Sequence, residues 1–202
     1  VFGFLRDCNA AGGPPSPLRL LELGAGPGKF SYLFLLHLSA LMRAGGIPMT
    51  AVRYCMTDCS EELIEAWRSN PWLKKFVDTG MLEFEVLEAG RDLRPKFLDG
   101  ASPLVLIANY VFDSLPQDAF FVENGRLSEM LVTTSRPGDA PAKLSELQRS
   151  FRNQALSHDH YEDPSWNGIL EQYRTRLSTA TIPYPCEALR TLRQLAGLPG
   201  GR

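Results

Sequence analysis

The chain has 202 residues, 44% of them hydrophobic and 22% charged, with a formal net charge of −2 at pH 7. That composition belongs to a soluble globular protein with material for one domain, or one domain and a helical appendage. The near-neutral balance leaves no electrostatic footprint for DNA or RNA, and no apolar run reaches the ~20 residues of a membrane span, so neither partner is expected.

Four scattered cysteines, Cys8, Cys55, Cys59 and Cys186, make no disulfide framework and point to a reducing compartment. Cys55 and Cys59 lack a second pair to complete a zinc set, and His158-Asp159-His160 sits in a polar connector, so no metal site is expected. The chain starts at Val1 rather than Met, which implies a trimmed start.

In chain order, a Gly/Pro-rich connector over 12–17 leads into a strand at 19–23 and a glycine turn, Gly24-Ala25-Gly26-Pro27-Gly28. A helix comes next at 30–43, ended by Gly45-Gly46. It is apolar around most of its circumference, so an N-terminal segment, a later helix, a second copy or another partner must cover it. A second strand at 52–56 ends at Thr57-Asp58; Ser60 caps a helix that stops before Pro71, and a short helix over 72–77 is broken by Gly80. Strands at 81–87 and 104–108 complete an α/β pattern, the last being the continuous apolar run of a buried parallel strand. Next, strands at 120–123 and 126–134 flank Asn124-Gly125, a strong hairpin signal. Beyond Pro137 the expectation is helical, with helices over 142–156, 166–177 and 187–196. The organisation read from this is a Rossmann-like, doubly wound domain over 1–136 with a hairpin insertion, and a helical part over 137–202 that packs on it or forms a lid.

Ligands of open α/β sheets bind outside the carboxyl ends of the strands. After the first strand, Gly24, Ala25, Gly26 and Gly28 let a ligand lie against the backbone, and the next helix presents unpaired N–H groups. Lys29 occupies the position of the third glycine in dinucleotide enzymes, and the G-x-G-x-G form favours S-adenosylmethionine over NAD. After the second strand, Asp58 can accept from both hydroxyls of an unphosphorylated ribose. After the third, Glu88 can accept from an adenine amine with the Ala89 N–H facing a ring nitrogen. After the fourth, Asn109 to Asp113 line the space where a transferable group projects. Glu22, at the end of the first strand, is assigned to orienting the donor's amino-acid end.

With these residues in place, the chain resembles the class I S-adenosylmethionine-dependent methyltransferases, whose first three binding motifs the glycine turn, Asp58 and Glu88 match in order. Ala108-Asn109-Tyr110-Val111-Phe112-Asp113-Ser114-Leu115-Pro116 and the hairpin after it are more narrowly similar to the MidA-type family, with its A-N-E-x-x-D-A-L-P segment. Tyr110 stands where those proteins carry an acid. The resemblance implies S-adenosylmethionine as cofactor, a nitrogen acceptor such as a protein arginine, a role in complex I assembly, and a cytoplasmic or mitochondrial matrix location. It also leads one to expect a fifth strand where the chain stops, so that the sheet would lack its last three strands.

Methyl transfer from a sulfonium is an in-line displacement that needs positioning and a free acceptor lone pair. Asn109 and Asp113 are the candidates to hold a protein or small-molecule acceptor. Two rivals stand beside this reading: an NAD-dependent oxidoreductase, and a methyltransferase-like module that no longer catalyses and serves assembly.

Overall fold

The structure, a computed structural model, describes residues 1–12, 16–91, 93, 95–98, 102–136, 143–157 and 159–198. Its first elements are α1 (Phe2–Ala10), β1 (Leu18–Leu23), α2 (Lys29–Ala44), β2 (Val52–Asp58), α3 (Glu61–Arg68), α4 (Pro71–Asp78), β3 (Leu82–Val86) and β4 (Leu104–Ala108). Then come β5 (Asp118–Glu123), β6 (Arg126–Ser135), β7 (Gln148–Ala155), α5 (Pro164–Arg176), β8 (Thr179–Tyr184) and α6 (Cys186–Ala196). Contacts divide the chain into two compact units: Val1–Leu115 with the residues from Glu187 on, and Pro116–Cys186. Residues 116–136 therefore group with the later chain, up to Cys186, rather than with the parallel sheet.

In the first unit β1 to β4 form a parallel sheet in the order β3-β2-β1-β4. β1 is buried along its whole length, as the apolar run of a central parallel strand requires. Its side chains alternate. Leu18 and Leu20 pack with Leu35, Leu38 and Met42 of α2, whereas Leu21 and Leu23 join Phe97, Val111 and Leu195 of α6. Helices thus lie on both faces, and each fully buried leucine contributes roughly 1.5–3 kcal/mol. Local signals act where expected: the Ser60 hydroxyl accepts from the Leu63 N–H at 3.3 Å to cap α3. Asn70 accepts from the Trp72 N–H at 2.9 Å to start α4, with Pro71 in its first turn.

The cover that α2 requires comes partly from its own unit. Phe2 of α1 packs beside Gly45, and Tyr32 meets Trp72 and Phe76 of α4 edge-on. Phe30, Leu33 and Leu41 stay exposed.

The second unit is an antiparallel sheet in the order β7-β6-β5-β8, with α5. Asn124 and Gly125 have φ of 49° and 74°, the two left-handed positions of a type I′ turn, and Glu123 pairs with Arg126 across them. Two expectations fail here. The helix expected over 142–156 is, among its described residues, a 3-10 turn (Leu144–Glu146) and the strand β7; Ala142 lies outside the described residues. Leu144, Leu147, Phe151 and Ala155 mimic a helical stripe, yet the open edge of β6 offers a ladder from Ser128–Ala155 to Ser135–Gln148, and tertiary pairing overrides the local pattern. The stretch before α6 forms β8, in which Pro183 is tolerated because β8 is an edge strand. The helices expected at 166–177 and 187–196 are present as α5 and α6. Residues 13–15 of the expected connector, Pro137, His158 and Gly200-Gly201-Arg202 lie outside the described residues.

No described helix is long and apolar enough to cross a membrane, and no described group of three or more His, Cys, Asp or Glu could hold a metal ion. The described cysteines are all free.

Candidate functional site

The strand order places β2 and β3 on one side of β1 and β4 on the other, so connections leave in opposite directions at the carboxyl ends of β1 and β4. In open α/β sheets such a switch point is where the ligand crevice lies. Leu23 and Ala108 are register partners, which sets the glycine turn beside Asn109.

Gly24, Gly26 and Gly28 all have left-handed φ, at 62°, 54° and 75°, where a side chain is strained. Their surroundings differ. A Cβ on Gly24 would meet Val111 Cγ2 at 2.9 Å, and one on Gly28 would meet Met56 Cε at 2.9 Å and Trp67 Nε1 at 3.4 Å. At Gly26 it would meet nothing within 4 Å. The outer two glycines let the turn pack tightly; the middle one leaves open space over the backbone.

The turn is held by the end of β2 and by α3. The Ala25 N–H donates to Thr57 O at 2.9 Å, the Gly26 N–H to Asp58 Oδ2 at 3.0 Å, and the Trp67 indole N–H to Gly26 O at 3.0 Å. Asp58 Oδ1 accepts from the Ser60 N–H at 3.2 Å and from the Cys59 thiol, a weak donor, at 3.6 Å. Asp58 therefore bridges the glycine turn and the start of α3, and its Oδ2, which takes the Gly26 N–H, has a second lone-pair site.

Glu22 lies behind the turn, 4% exposed. Its Oε2 accepts from the Ser31 hydroxyl of α2 at 2.5 Å and the Tyr54 hydroxyl of β2 at 2.8 Å, and its backbone oxygen accepts from Thr57 Oγ1 at 2.7 Å. Burial pushes the Glu22 carboxyl above its usual range, against the pull of the Ser31 and Tyr54 bonds. Burial and then the Glu22 charge push the Tyr54 hydroxyl up as well. The group ties β1, β2 and α2 together directly beneath the site.

Glu88 is exposed and pairs with Arg91 at 3.1 Å, a surface contact of small energetic weight. Its strand end lies next to that of β2, since the Leu87 N–H donates to Asp58 O at 3.0 Å. Ala89 is half-buried, and at Gly90 (φ 89°) a Cβ would lie 2.6 Å from Glu187 Oε2 of α6. The loop carrying Glu88 is thus seated on α6.

Asn109 and Asp113 are exposed. Between them Tyr110 is 83% exposed with φ of 55°, a conformation a bulky residue rarely adopts. Val111 turns inward against Gly24, and its carbonyl accepts from the Ser114 N–H at 3.0 Å and hydroxyl at 2.7 Å, closing the turn that presents Asp113. The glycine turn, Asp58 and the strand end carrying Asn109 thus lie next to one another at the switch point, with Glu88 on its β3 side. The supporting roles of Thr57, Trp67 and Val111 escaped the sequence reading. Trp67 carried the one available signal, a tryptophan in the last turn of a helix that starts three residues after Asp58.

Two further concavities lie elsewhere. One of about 750 Å³ in the second unit is lined by Leu127, Leu156, Asn167, Leu170 and Arg174 among others. The other, of about 400 Å³, runs along α1 and α2 and includes Phe30, Leu33, Phe34 and Leu41. Neither contains a residue of the crevice.

A parallel sheet with helices on both faces and a glycine turn at its switch point defines a Rossmann-like fold of the methyltransferase type. The chain belongs to the family described as "Putative S-adenosyl-L-methionine-dependent methyltransferase", whose model matches residues 4–198. The fold resembles a Burkholderia thailandensis protein described as a "likely methyl transferase" and solved bound to S-adenosyl-homocysteine, with a TM-score of 0.56 and 16% identity over 98% of this chain. It resembles equally the native crystal structure of an uncharacterized superfamily member from that organism, again with a TM-score of 0.56 and 16% identity over 98% of this chain. In both comparisons the chain spans 43% of the other protein's length. At that identity the likeness is one of fold. No curated protein matches the sequence. Family membership sets the NAD-dependent reading aside.

Proposed function

We propose that the chain binds S-adenosylmethionine at the β1/β4 crevice and forms the donor half of a methyltransferase acting on a nitrogen acceptor, in the MidA manner a protein arginine. The observation that carries this is Gly26, left-handed, hydrogen-bonded to Asp58, and the one glycine of its turn over which a Cβ would meet nothing within 4 Å. These residues fit an adenosyl ligand. Bound there, S-adenosylmethionine would supply a methyl group on an electrophilic sulfonium. Asp58 would accept from the ribose hydroxyls with the lone pairs that the turn leaves free. Glu88 and Ala89 would face the adenine edge, while Glu22 keeps the turn and the start of α2 in place through Ser31 and Tyr54. Asn109 and Asp113 would hold the acceptor nitrogen by their side-chain oxygens and keep its lone pair directed at the methyl.

A second reading, a methyltransferase-like assembly module, draws on α2, whose exposed Phe30, Leu33 and Leu41 line the apolar groove. Tritiated methyl transfer from labelled S-adenosylmethionine into a fractionated lysate separates the two. Label in a protein band, lost in Asp58→Ala, supports the enzyme on a protein acceptor. Label confined to small molecules removes the arginine assignment, and no label in any fraction removes the enzyme.

A further inference from the structure

Two non-glycine residues among those described have a positive φ, Asn124 at 49° and Tyr110 at 55°. Asn124 sits in the hairpin turn, and asparagine tolerates the left-handed region. Tyr110 is a bulky residue for which that region is strained, and it is 83% exposed. Among the described residues its side chain has no hydrogen bond, ion pair or ring contact. Phe112, two residues on, packs instead against the core cluster of Leu21, Leu23 and Val111. Packing therefore accounts for Phe112 and leaves Tyr110 unexplained. Glycine or asparagine would hold the same backbone with less strain and without an aromatic ring in solvent.

The position of Tyr110 supplies a reason. Ala108 ends β4 opposite Leu23 of β1, and Val111 Cγ2 stands 2.9 Å from where a Cβ of Gly24 would be. The Val111 carbonyl is held in turn by the Ser114 N–H and hydroxyl. Tyr110 is thus fixed on both sides next to the glycine turn, between Asn109 and Asp113, which are both exposed. Because Val111 must enter the core, the left-handed step at Tyr110 keeps its own side chain out of it.

We propose that Tyr110 selects the methyl acceptor: its ring face receives a cationic side chain of a protein, an arginine guanidinium or a lysine ammonium, beside the Asp113 carboxylate and the Asn109 amide oxygen. This rests on the donor reading of the crevice given above. The face of a tyrosine ring attracts a cation, more strongly once water is displaced, and a guanidinium also stacks flat on it. An anionic acceptor is repelled by that face and by Asp113, and a neutral one gains little from either. The strain at Tyr110 then serves presentation of the ring rather than the fold.

Wild type, Tyr110→Phe, Tyr110→Leu and Tyr110→Gly are compared in tritiated methyl transfer from labelled S-adenosylmethionine into a fractionated lysate, in calorimetric titration with S-adenosylhomocysteine, and in Tm. Label is expected in a protein band, stable to base and recovered as methylated arginine or lysine after hydrolysis. Its rate of incorporation should fall about tenfold or more in Tyr110→Leu, which lacks the ring face, and be largely restored in Tyr110→Phe. S-adenosylhomocysteine affinity should be the same in every protein. Tyr110→Gly should melt no lower than wild type, because it releases a strained residue that packs on nothing. A lower Tm for Tyr110→Gly, or a fall in S-adenosylhomocysteine affinity alongside the lost label, makes Tyr110 a structural residue and overturns the proposal. Equal labelling by Tyr110→Leu overturns it too, as does label confined to small molecules or released by base from a carboxyl ester. A wild type that binds S-adenosylhomocysteine but labels nothing removes the acceptor assignment and leaves the donor site standing; one that does not bind it removes both.

Discussion

Gly24 and Gly26 differ in what stands over them, and the difference yields two separable phenotypes. Both have left-handed φ, 62° and 54°, so alanine at either position carries roughly 1–2 kcal/mol of conformational cost. At Gly24 a Cβ also meets Val111 Cγ2 at 2.9 Å, which adds about 1–3 kcal/mol of overpacking. At Gly26 it meets nothing within 4 Å. In a chain of this size 1 kcal/mol moves Tm by about 2–4 °C. Gly26→Ala should therefore lower Tm by about 2–8 °C and Gly24→Ala by about 4–20 °C. The ligand response separates them further. S-adenosylhomocysteine at about 100 times its Kd should stabilise the wild type by about 2.7 kcal/mol, a rise of about 5–11 °C. Gly26→Ala should abolish that rise, because its methyl occupies the space over the turn. Differential scanning fluorimetry with and without the ligand reads both quantities. A Gly26→Ala protein that keeps the full ligand-induced rise refutes the reasoning.

Glu22 predicts a pH dependence. Its folded-state pKa is raised from 4.5 by burial, so the folded protein binds its proton more tightly than the unfolded chain, and stability falls as pH climbs from 4.5 through the raised value. Urea midpoints measured across that window should decline less in Glu22→Gln than in wild type; parallel slopes would contradict the assignment. Gly90→Ala meets both a left-handed φ of 89° and Glu187 Oε2 at 2.6 Å. It should weaken S-adenosylhomocysteine binding measured calorimetrically, and Glu187→Ala in the same chain should restore part of it; no partial rescue would detach α6 from the loop. In the hairpin, Gly125→Ala at φ 74° should cost roughly 1–2 kcal/mol in chemical denaturation, without changing ligand affinity. A parallel loss of affinity would argue against confining its effect to the second unit.

The crevice was legible because its parts are local. Alternate glycines after an apolar run, an acid at each of two strand ends, and the Ala108-Asn109 step each announce themselves within a few residues. The Asn124-Gly125 hairpin was legible for the same reason, since only a left-handed pair closes a two-residue loop. What stayed hidden depends on partners distant in sequence. Nothing near Glu22 in sequence announces that Tyr54, on the neighbouring strand, donates to it at 2.8 Å. β7 carries a helical stripe in a polar setting and becomes a strand only because β6 has an edge to share. β8 is masked by its own Pro183, harmless where one side of the strand needs no ladder. Trp67 reads as core, and it is 2% exposed, yet its indole N–H is what pins the Gly26 carbonyl.

Isothermal titration of the intact chain with S-adenosylhomocysteine, alongside Asp58→Asn, addresses the crevice most directly. The amide keeps an oxygen for the Gly26 N–H, gives up the bond from the Ser60 N–H and loses the capacity to accept from both ribose hydroxyls. The account predicts one site per chain in the wild type, affinity reduced about tenfold or more in Asp58→Asn, and no heat from NADH. Absence of binding by the wild type, or equal affinity in the two proteins, would contradict it.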